Sequence, residues 1–139
     1  MAIGYLLDTN VLSETRKSRA DSGVVAFLSA TDPMGLFLSV LTLGELRKGV
    51  AAKRRSDAAV ADQLGAWVDG IETNFADRVL PVDAATARHW GELSAQRSLP
   101  VIDTLIAATA ISHGLTLVTR NTRDVESTGT LLLDPWQAR

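Results

Sequence analysis

Four acidic residues occupy positions where a charge is not expected to stabilise an α/β domain: Asp8, Glu45, Asp103 and Asp124. Carboxylates gathered in one cleft repel each other, which raises their pKa values unless a cation lies among them. Oxygen donors without cysteine or suitably spaced histidine select a hard ion, so the set predicts Mg²⁺, with Mn²⁺ as an alternative. A hard cation that keeps open water positions is suited to phosphodiester hydrolysis.

Each of the four carboxylates also has a plainer explanation. Asp8 and Asp124 could be turn or capping residues, and Asp103 could favour a helix N-terminus, an effect worth roughly 0.3 to 1 kcal/mol. Glu45 lies off the apolar stripe of its predicted helix, so it could point into solvent. Their common position argues for a shared site, because each one follows a predicted strand or opens a helix at the same edge of the sheet.

The element that positions Asp8 is an apolar run at residues 5–7, which ends abruptly in polar residues. Such a run, followed by helix-forming residues, predicts a buried parallel strand and a crossover helix over 11–17. Thr9 or Asn10 is predicted to cap that helix. Ligand-binding and catalytic residues of parallel sheets usually lie at the carboxyl ends of the strands. Asp8 would lie at such an end.

The remaining pattern alternates strands with helices. Further strands are predicted at 36–40, 78–82, 115–119 and 130–133, and helices at 24–28, 42–55, 57–75, 84–97 and 101–113. Helices 42–55 and 57–75 are expected to pair as a hairpin. Helix 84–97 is predicted to turn Ala87, Trp90 and Leu93 inwards, and helix 101–113 to be buried on most sides with Gly114 as its C-cap. We therefore predict one three-layer α/β/α domain over 1–139, around a mainly parallel five-stranded sheet.

Composition narrows the function classes. The 139 residues contain no cysteine, which excludes disulfides and thiolate metal sites and fits the cytoplasm. His89 and His113 are expected at the surface or at a helix end, which argues against zinc. No apolar run approaches the roughly 20 residues that a membrane helix needs, so no membrane association is expected.

The net charge of −2 argues against binding of nucleic acid through bulk positive charge. The basic residues are nevertheless clustered beside the acidic ones, and the candidates for contact with a nucleic-acid backbone are Arg16, Lys17, Arg47, Arg120 and Arg123. An acidic centre with a basic rim fits a nucleic-acid substrate.

Four stretches in order give the chain a family resemblance. LLDTNVLSE, LTLGELRKG, PVIDTLIAATA and LVTRNTRDVE resemble the four acidic motifs of PIN-domain ribonucleases, and within them of VapC-type toxins from bacterial toxin–antitoxin pairs. The resemblance implies a PIN-like fold and a magnesium-dependent endoribonuclease whose acidic site is formed by Asp8, Glu45, Asp103 and Asp124. It implies supporting roles for Asn10, Thr119 and Asn121.

The resemblance also implies partners: an RNA substrate, a cognate antitoxin that covers the active site, a second copy of the chain in a homodimer, and operator DNA reached only through the antitoxin. One position departs from the family pattern, since Val125 stands where a phenylalanine often follows the fourth aspartate.

Two other functions are considered. The chain could act chiefly within a DNA-binding antitoxin complex, with weak or no nuclease activity. A phosphoacceptor signalling domain also groups carboxylates around Mg²⁺, but its requirement for an aspartate after a middle strand is poorly met. We interpret the three tryptophans as core or interface residues rather than as base-stacking platforms; they are Trp67, Trp90 and Trp136.

Overall fold

The computed structural model describes residues 3–96 and 98–137, which form five strands and seven α-helices. The strands are β1 (Tyr5–Leu7), β2 (Leu36–Ser39), β3 (Val79–Leu80), β4 (Thr116–Val118) and β5 (Leu132–Leu133). The helices are α1 (Thr9–Thr15), α2 (Ser22–Ala30), α3 (Val40–Arg54), α4 (Ala58–Asn74), α5 (Ala84–Gln96), α6 (Val101–His113) and α7 (Thr122–Val125). Short 3-10 turns occupy Pro33–Gly35 and Glu126–Thr128.

The strands form one sheet in the order β3-β2-β1-β4-β5, and all four pairings are parallel. Tyr5 is the register partner of Leu36 on one side and of Thr116 on the other. The chain extends the sheet from β1 towards β3 and then crosses to the other side with β4. The boundary between β1 and β4 is therefore the point at which the strand order reverses, and ligands of open α/β sheets bind outside such a point.

Side chains that alternate along each strand bury the two faces of the sheet separately. Leu7 and Val118 pack with buried residues of α1 to α4, whereas Leu6 and Leu117 pack with α6 and α7. Helix α5 lies against α6. Helices therefore cover both faces, and the predicted three-layer architecture around a parallel sheet is confirmed.

The predicted hairpin of two long helices is also confirmed, as α3 and α4. Arg47 of α3 donates hydrogen bonds to Asp69 at 2.6 Å and to Glu72 at 3.1 Å, and Arg54 pairs with Asp62 at 2.9 Å. These ion pairs link the outer faces of the two helices.

Helix α6 ends as predicted, because Gly114 takes the left-handed conformation with φ of 63° and closes the C-terminus. The middle of α6 is buried, but its first turn is not, since Val101 and Ile102 are exposed. The prediction for α5 was partly wrong: Thr86 is the buried residue of this helix and Ala87 is exposed. Trp90 and Leu93, one and two turns further along the same face, are half-buried. Arg97, the last residue of the predicted helix, lies outside the described residues.

The C-terminal segment is held by an aromatic contact. Trp136 packs against the core, and the guanidinium carbon of Arg120 lies 5.2 Å from the centre of its ring. Residues 138–139 of the predicted tail lie outside the described part of the chain. Among the described residues, no helix has the length and apolar character needed to cross a membrane.

Candidate active site

Asp8 lies directly after β1, and its backbone fixes it between the sheet and α1. Its N–H donates to the carbonyl of Val118 in β4 at 2.9 Å, and its side-chain Oδ1 accepts a hydrogen bond from the N–H of Thr9 at 2.8 Å. Asp8 is therefore itself the N-cap of α1. The prediction that Thr9 or Asn10 caps this helix was wrong, because both residues already belong to its first turn.

The second carboxylate oxygen of Asp8 is held by one side chain that follows β4 and by one from the first turn of α1. Thr119, fully buried after β4, donates to Asp8 Oδ2 at 2.8 Å, and Asn10 Nδ2 lies 3.4 Å from the same oxygen. Asn10 also donates to Thr119 at 3.3 Å, and the N–H of Asn121 donates to the Thr119 hydroxyl at 3.0 Å. Thr119 therefore joins the β4 loop to the end of β1, and these contacts fix the orientation of Asp8.

Glu45 is oriented by a contact that sequence reasoning missed. The hydroxyl of Thr9 donates to Glu45 Oε1 at 2.6 Å, and the same oxygen of Thr9 lies 3.4 Å from the hydroxyl of Thr42. A threonine hydroxyl carries one hydrogen, and the much shorter distance assigns it to Glu45, so the approach to Thr42 is a longer polar contact. Thr42 is fully buried in α3 and lies beside the hydroxyl that orients Glu45. The only hint in the sequence is the polar Thr42 within an otherwise apolar helix stripe.

Asp103 and Asp124 reach the same region from the other side of the sheet. Asp103 lies in the first turn of α6 and is half-buried, and Asp124 is exposed in the short helix α7. No helix is predicted between the strands at 115–119 and 130–133, but a short one forms at Thr122–Val125. Its helical turn places Val125 in the core beside α6, so valine fills the position where the family pattern often has phenylalanine.

One open cleft of about 340 Å³ brings most of the predicted site residues together. Its lining residues are Asp8, Thr9, Asn10, Ser13, Glu45, Asp103 and Asn121. Three of the four predicted carboxylates therefore face one space, each supplied by a different element. Asp124 does not line this cleft but lies close enough to Asp103 to act on its charge.

The electrostatics of the cleft reflect this crowding. Burial raises the pKa of Asp8; hydrogen bonds from Thr119 and Thr9 work in the opposite direction, and the charge of Glu45 raises it further. Burial also raises the pKa of Asp103, with additional repulsion from Asp8 and Asp124. A positive charge placed among these groups would relieve both the desolvation and the repulsion.

The donor set fits a hard divalent cation. The side-chain atoms around the cleft that could bind a metal ion are oxygens. Mg²⁺ is usually bound by one or two carboxylates while it keeps several waters. Within residues 3–96 and 98–137, no three Asp, Glu or His side chains stand close enough to coordinate one ion together. An Mg²⁺ ion that keeps several waters needs fewer direct protein ligands than such a cluster would supply.

The chain is similar to known proteins of one family. The family model of the PIN domain matches residues 5–129, which is most of the chain. The chain is a PIN domain. It is 36% identical over 137 residues to "VapC ribonuclease Y4jK" of Sinorhizobium fredii, covering 95% of this chain and 97% of that protein. It is 32% identical over 138 residues to "Toxin FitB" of Neisseria gonorrhoeae, covering 94% and 97%. Within the PIN family, the chain therefore belongs to the VapC-type proteins.

Solved structures agree with this placement. FitAcB from Neisseria gonorrhoeae superposes with a TM-score of 0.87 at 32% identity, covering 96% of this chain and 99% of that one. FitAB bound to an IR36 DNA fragment gives a TM-score of 0.80 at 29% identity, covering 96% of each chain.

The phosphoacceptor alternative is wrong. The strand order of this PIN domain is 3-2-1-4-5, not the 2-1-3-4-5 order of flavodoxin-like domains.

The predicted basic rim of the PIN domain is only partly free. Lys17 pairs with Glu14 at 2.9 Å. Arg47 pairs with Asp69 and Glu72 of α4. Glu14 is buried and also accepts a hydrogen bond from the N–H of Asp21, so it closes the connection between α1 and α2. The charges of Lys17 and Arg47 are therefore paired within the chain, and contact of these two residues with RNA stays a prediction.

The other three basic candidates are exposed. The guanidinium carbon of Arg16 lies 5.3 Å from the centre of the Trp67 ring, and Arg120 lies over Trp136. The backbone N–H of Arg120 also donates to Asn10 Oδ1 at 3.4 Å, which ties its loop to the Asp8 network. Arg123 is exposed in α7, one residue before Asp124. These three cations remain candidates for contact with RNA.

Proposed function

We propose that this PIN domain is an endoribonuclease that hydrolyses RNA phosphodiester bonds with a bound divalent cation, Mg²⁺ or alternatively Mn²⁺. The observation that carries the proposal is the convergence of Asp8, Glu45 and Asp103 on one cleft at the point where the strand order reverses. Two further facts support it: divalent-metal dependence is general among PIN-domain VapC nucleases, and the relative from Sinorhizobium fredii is named a ribonuclease.

The residues have distinct parts in this proposal. Asp8, Glu45 and Asp103 would hold the cation, directly or through its bound waters, and Asp124 would complete the site or orient a water through its position beside Asp103. When bound, the cation supplies an activated water and neutralises charge on the phosphate. Thr119 and Asn10 keep the Asp8 carboxylate turned into the cleft, and Asn121 shapes its wall. Exposed cations at the rim hold the RNA backbone.

The biological setting is proposed from the relatives. We assign the chain the role of a toxin that a cognate antitoxin neutralises, because it is similar to a protein named toxin FitB. A homodimer, contact with operator DNA only through the antitoxin, and action on RNA in the cytoplasm belong to the same proposal. We also propose that residues 1–139 form one domain, of which the family model covers 5–129.

Purified protein tests the enzymatic proposal directly. With tRNA and rRNA as substrates, we expect discrete cleavage products in Mg²⁺, no cleavage in excess EDTA, and recovery when Mg²⁺ or Mn²⁺ is restored. Cleavage that is indifferent to EDTA would overturn the metal-dependent mechanism.

A second candidate function is that of a subunit in a DNA-binding antitoxin complex, with weak or no nuclease activity. The structure of FitAB bound to DNA, which resembles this chain, is the observation that favours it. This candidate predicts no cleavage of tRNA or rRNA under any metal condition, together with tight operator binding by the complex. The EDTA experiment and an operator gel shift therefore separate the two.

The contact between Thr9 and Glu45 gives a further prediction. Thr9→Val keeps the β-branched shape but removes the hydroxyl that donates to Glu45 Oε1, so Glu45 loses this orienting contact. We expect the dissociation constant for Mg²⁺ to rise about 10- to 100-fold, the usual loss when a group that orients a metal ligand is removed. Titration calorimetry with Mg²⁺ or Mn²⁺ measures this without any RNA.

Thr9→Ser is the matched control, because serine keeps the hydroxyl and can remake the bond. It should bind the metal almost as tightly as the wild type. Equal loss in both variants would mean that Thr9 acts through packing and not through its hydrogen bond to Glu45.

A further inference from the structure

A second, smaller pocket adjoins the acidic cleft and is not used by the proposed chemistry. It has a volume of about 240 Å³, and its lining residues are Thr9, Ser13, Arg16, Glu45, Leu46, Gly49, Leu64 and Trp67. Thr9, Ser13 and Glu45 line both the pocket and the cleft. A chain molecule whose phosphate lies in the cleft would therefore place a neighbouring group at this pocket.

One wall of the pocket is formed by Arg16 and Trp67. The guanidinium carbon of Arg16 lies 5.3 Å from the centre of the Trp67 ring, and this half-buried tryptophan packs against the core. The ion pairs of the described residues engage Lys17, Arg47, Arg54 and Arg78 but not Arg16. The pocket thus has a cation that lies against an aromatic ring and forms no ion pair with the described carboxylates, while Glu45 lines another part of the pocket.

The remaining lining is of mixed character. Leu46 and Leu64 supply apolar surface, and the hydroxyls of Ser13 and Thr9 lie on the side shared with the cleft. A nucleobase has the matching properties, with flat apolar faces and a rim of hydrogen-bonding groups. Unstacked bases of single-stranded RNA are bound in this way, against aromatic rings or arginine planes. A phosphate group alone would gain nothing from the leucines.

We propose that this pocket, lined by Arg16, Trp67 and the α3–α4 hairpin, binds a nucleobase of the RNA substrate adjacent to the scissile phosphate. The proposal rests on the proposed function, because the phosphate in the cleft determines which base reaches the pocket. It assigns Trp67 a surface role in addition to its packing role. A base is favoured over a protein side chain because the pocket is continuous with the cleft in which the phosphate would react.

Gly49 offers a way to fill the pocket without removing any contact. It lines the pocket, and a Cβ added there would meet none of the described atoms within 4 Å outside its own stretch of helix. Gly49→Leu should occupy the space and also favour the helix, since leucine has the higher helix propensity. Gly70→Leu is the matched control, because Gly70 lies on α4 with equally open space and is not a lining residue.

The first test is binding of AMP, GMP, CMP and UMP in EDTA, with ribose 5-phosphate and inorganic phosphate as phosphate-only probes. The indole N–H signal of Trp67 in NMR reports binding. We expect at least one nucleotide to shift this signal and Gly49→Leu to weaken that nucleotide at least tenfold, whereas Gly70→Leu leaves it unchanged. Arg16→Met should also weaken it.

Several outcomes would overturn the proposal. They are a Trp67 signal that none of the four nucleotides shifts, equal binding of ribose 5-phosphate, and undiminished nucleotide binding by Gly49→Leu. A fourth is loss of antitoxin binding in Gly49→Leu with nucleotide binding intact, which would assign the pocket to a protein side chain.

The second test maps cleavage ends in total RNA. Gly49→Leu should change the base preferred at one position beside the cleaved bond, whereas Gly70→Leu should reproduce the wild-type pattern, and identical patterns in all three proteins would overturn the proposal. If no protein cleaves RNA but the nucleotide shift persists, the nuclease proposal fails while the base-binding pocket stands. The two failures are therefore distinguishable.

Discussion

Asp8→Asn is expected to abolish metal-dependent RNA cleavage while the protein stays folded. The substitution keeps the size of the side chain and an oxygen that can accept the hydrogen bond from the Thr9 N–H, so the cap of α1 survives. It removes the negative charge that Thr119 and Asn10 orient into the cleft. We expect the rate to fall by more than about a hundredfold, beyond the usual loss when only an orienting group is removed.

The measurement is the initial rate of cleavage of a fixed RNA in Mg²⁺, together with a circular dichroism spectrum and a thermal unfolding curve. Asp57→Asn is the control, since Asp57 caps α4 through the N–H of Val60 and asparagine caps equally well. Asp57 does not line the cleft, so this variant should cleave normally. Undiminished cleavage by a folded Asp8→Asn protein would refute the assignment of the site.

Asp103→Asn is expected to raise the melting temperature of the metal-free protein and to abolish cleavage. The pKa of Asp103 is raised in the folded state by burial and by repulsion from Asp8 and Asp124. A carboxyl whose pKa is higher in the folded state than in the unfolded state destabilises the fold as the pH rises through that window. At pH 8 the charged form predominates, so removal of the charge removes this cost. The favourable interaction of Asp103 with the N-terminus of α6 offsets part of the gain.

Thermal unfolding with and without Mg²⁺ measures this effect. In EDTA at pH 8 the variant should melt a few degrees above the wild type, and the gap should shrink as the pH falls towards the ordinary range of aspartate. Added Mg²⁺ should stabilise the wild type through binding to the folded state but should have little effect on the variant. A variant that melts below the wild type at pH 8 and still responds to Mg²⁺ would contradict the placement of Asp103 at the metal.

Much of this site could be predicted from the sequence because its carboxylates follow strongly patterned elements. The apolar run of β1 places Asp8 at the end of a strand, and the all-round apolar character of α6 places Asp103 at the start of a buried helix. Parallel strands then bring these positions to one edge. The fold class follows from the same alternation of strands and helices.

The details that failed depend on contacts between distant residues. Thr9 lies 36 positions from Glu45, and no local pattern indicates that its hydroxyl orients that carboxylate. Arg47 was predicted as a rim cation from clustering, but clustering does not reveal its pairing with Asp69 and Glu72, which lie 22 and 25 positions later. The error at Ala87 has a similar origin, since a helical stripe shifted by one residue is equally regular and only packing against α6 selects Thr86.

The pairing of β1 with β4 also determines when the site can exist during synthesis of the chain. Asp8 is held by Val118 and Thr119, which lie 110 and 111 residues later in the sequence. A nascent chain on the ribosome therefore lacks these two groups until residues 118 and 119 have emerged. Asp8, the first of the four predicted carboxylates to be made, is thus held in the folded geometry only after the last strand of its contact network has been synthesised.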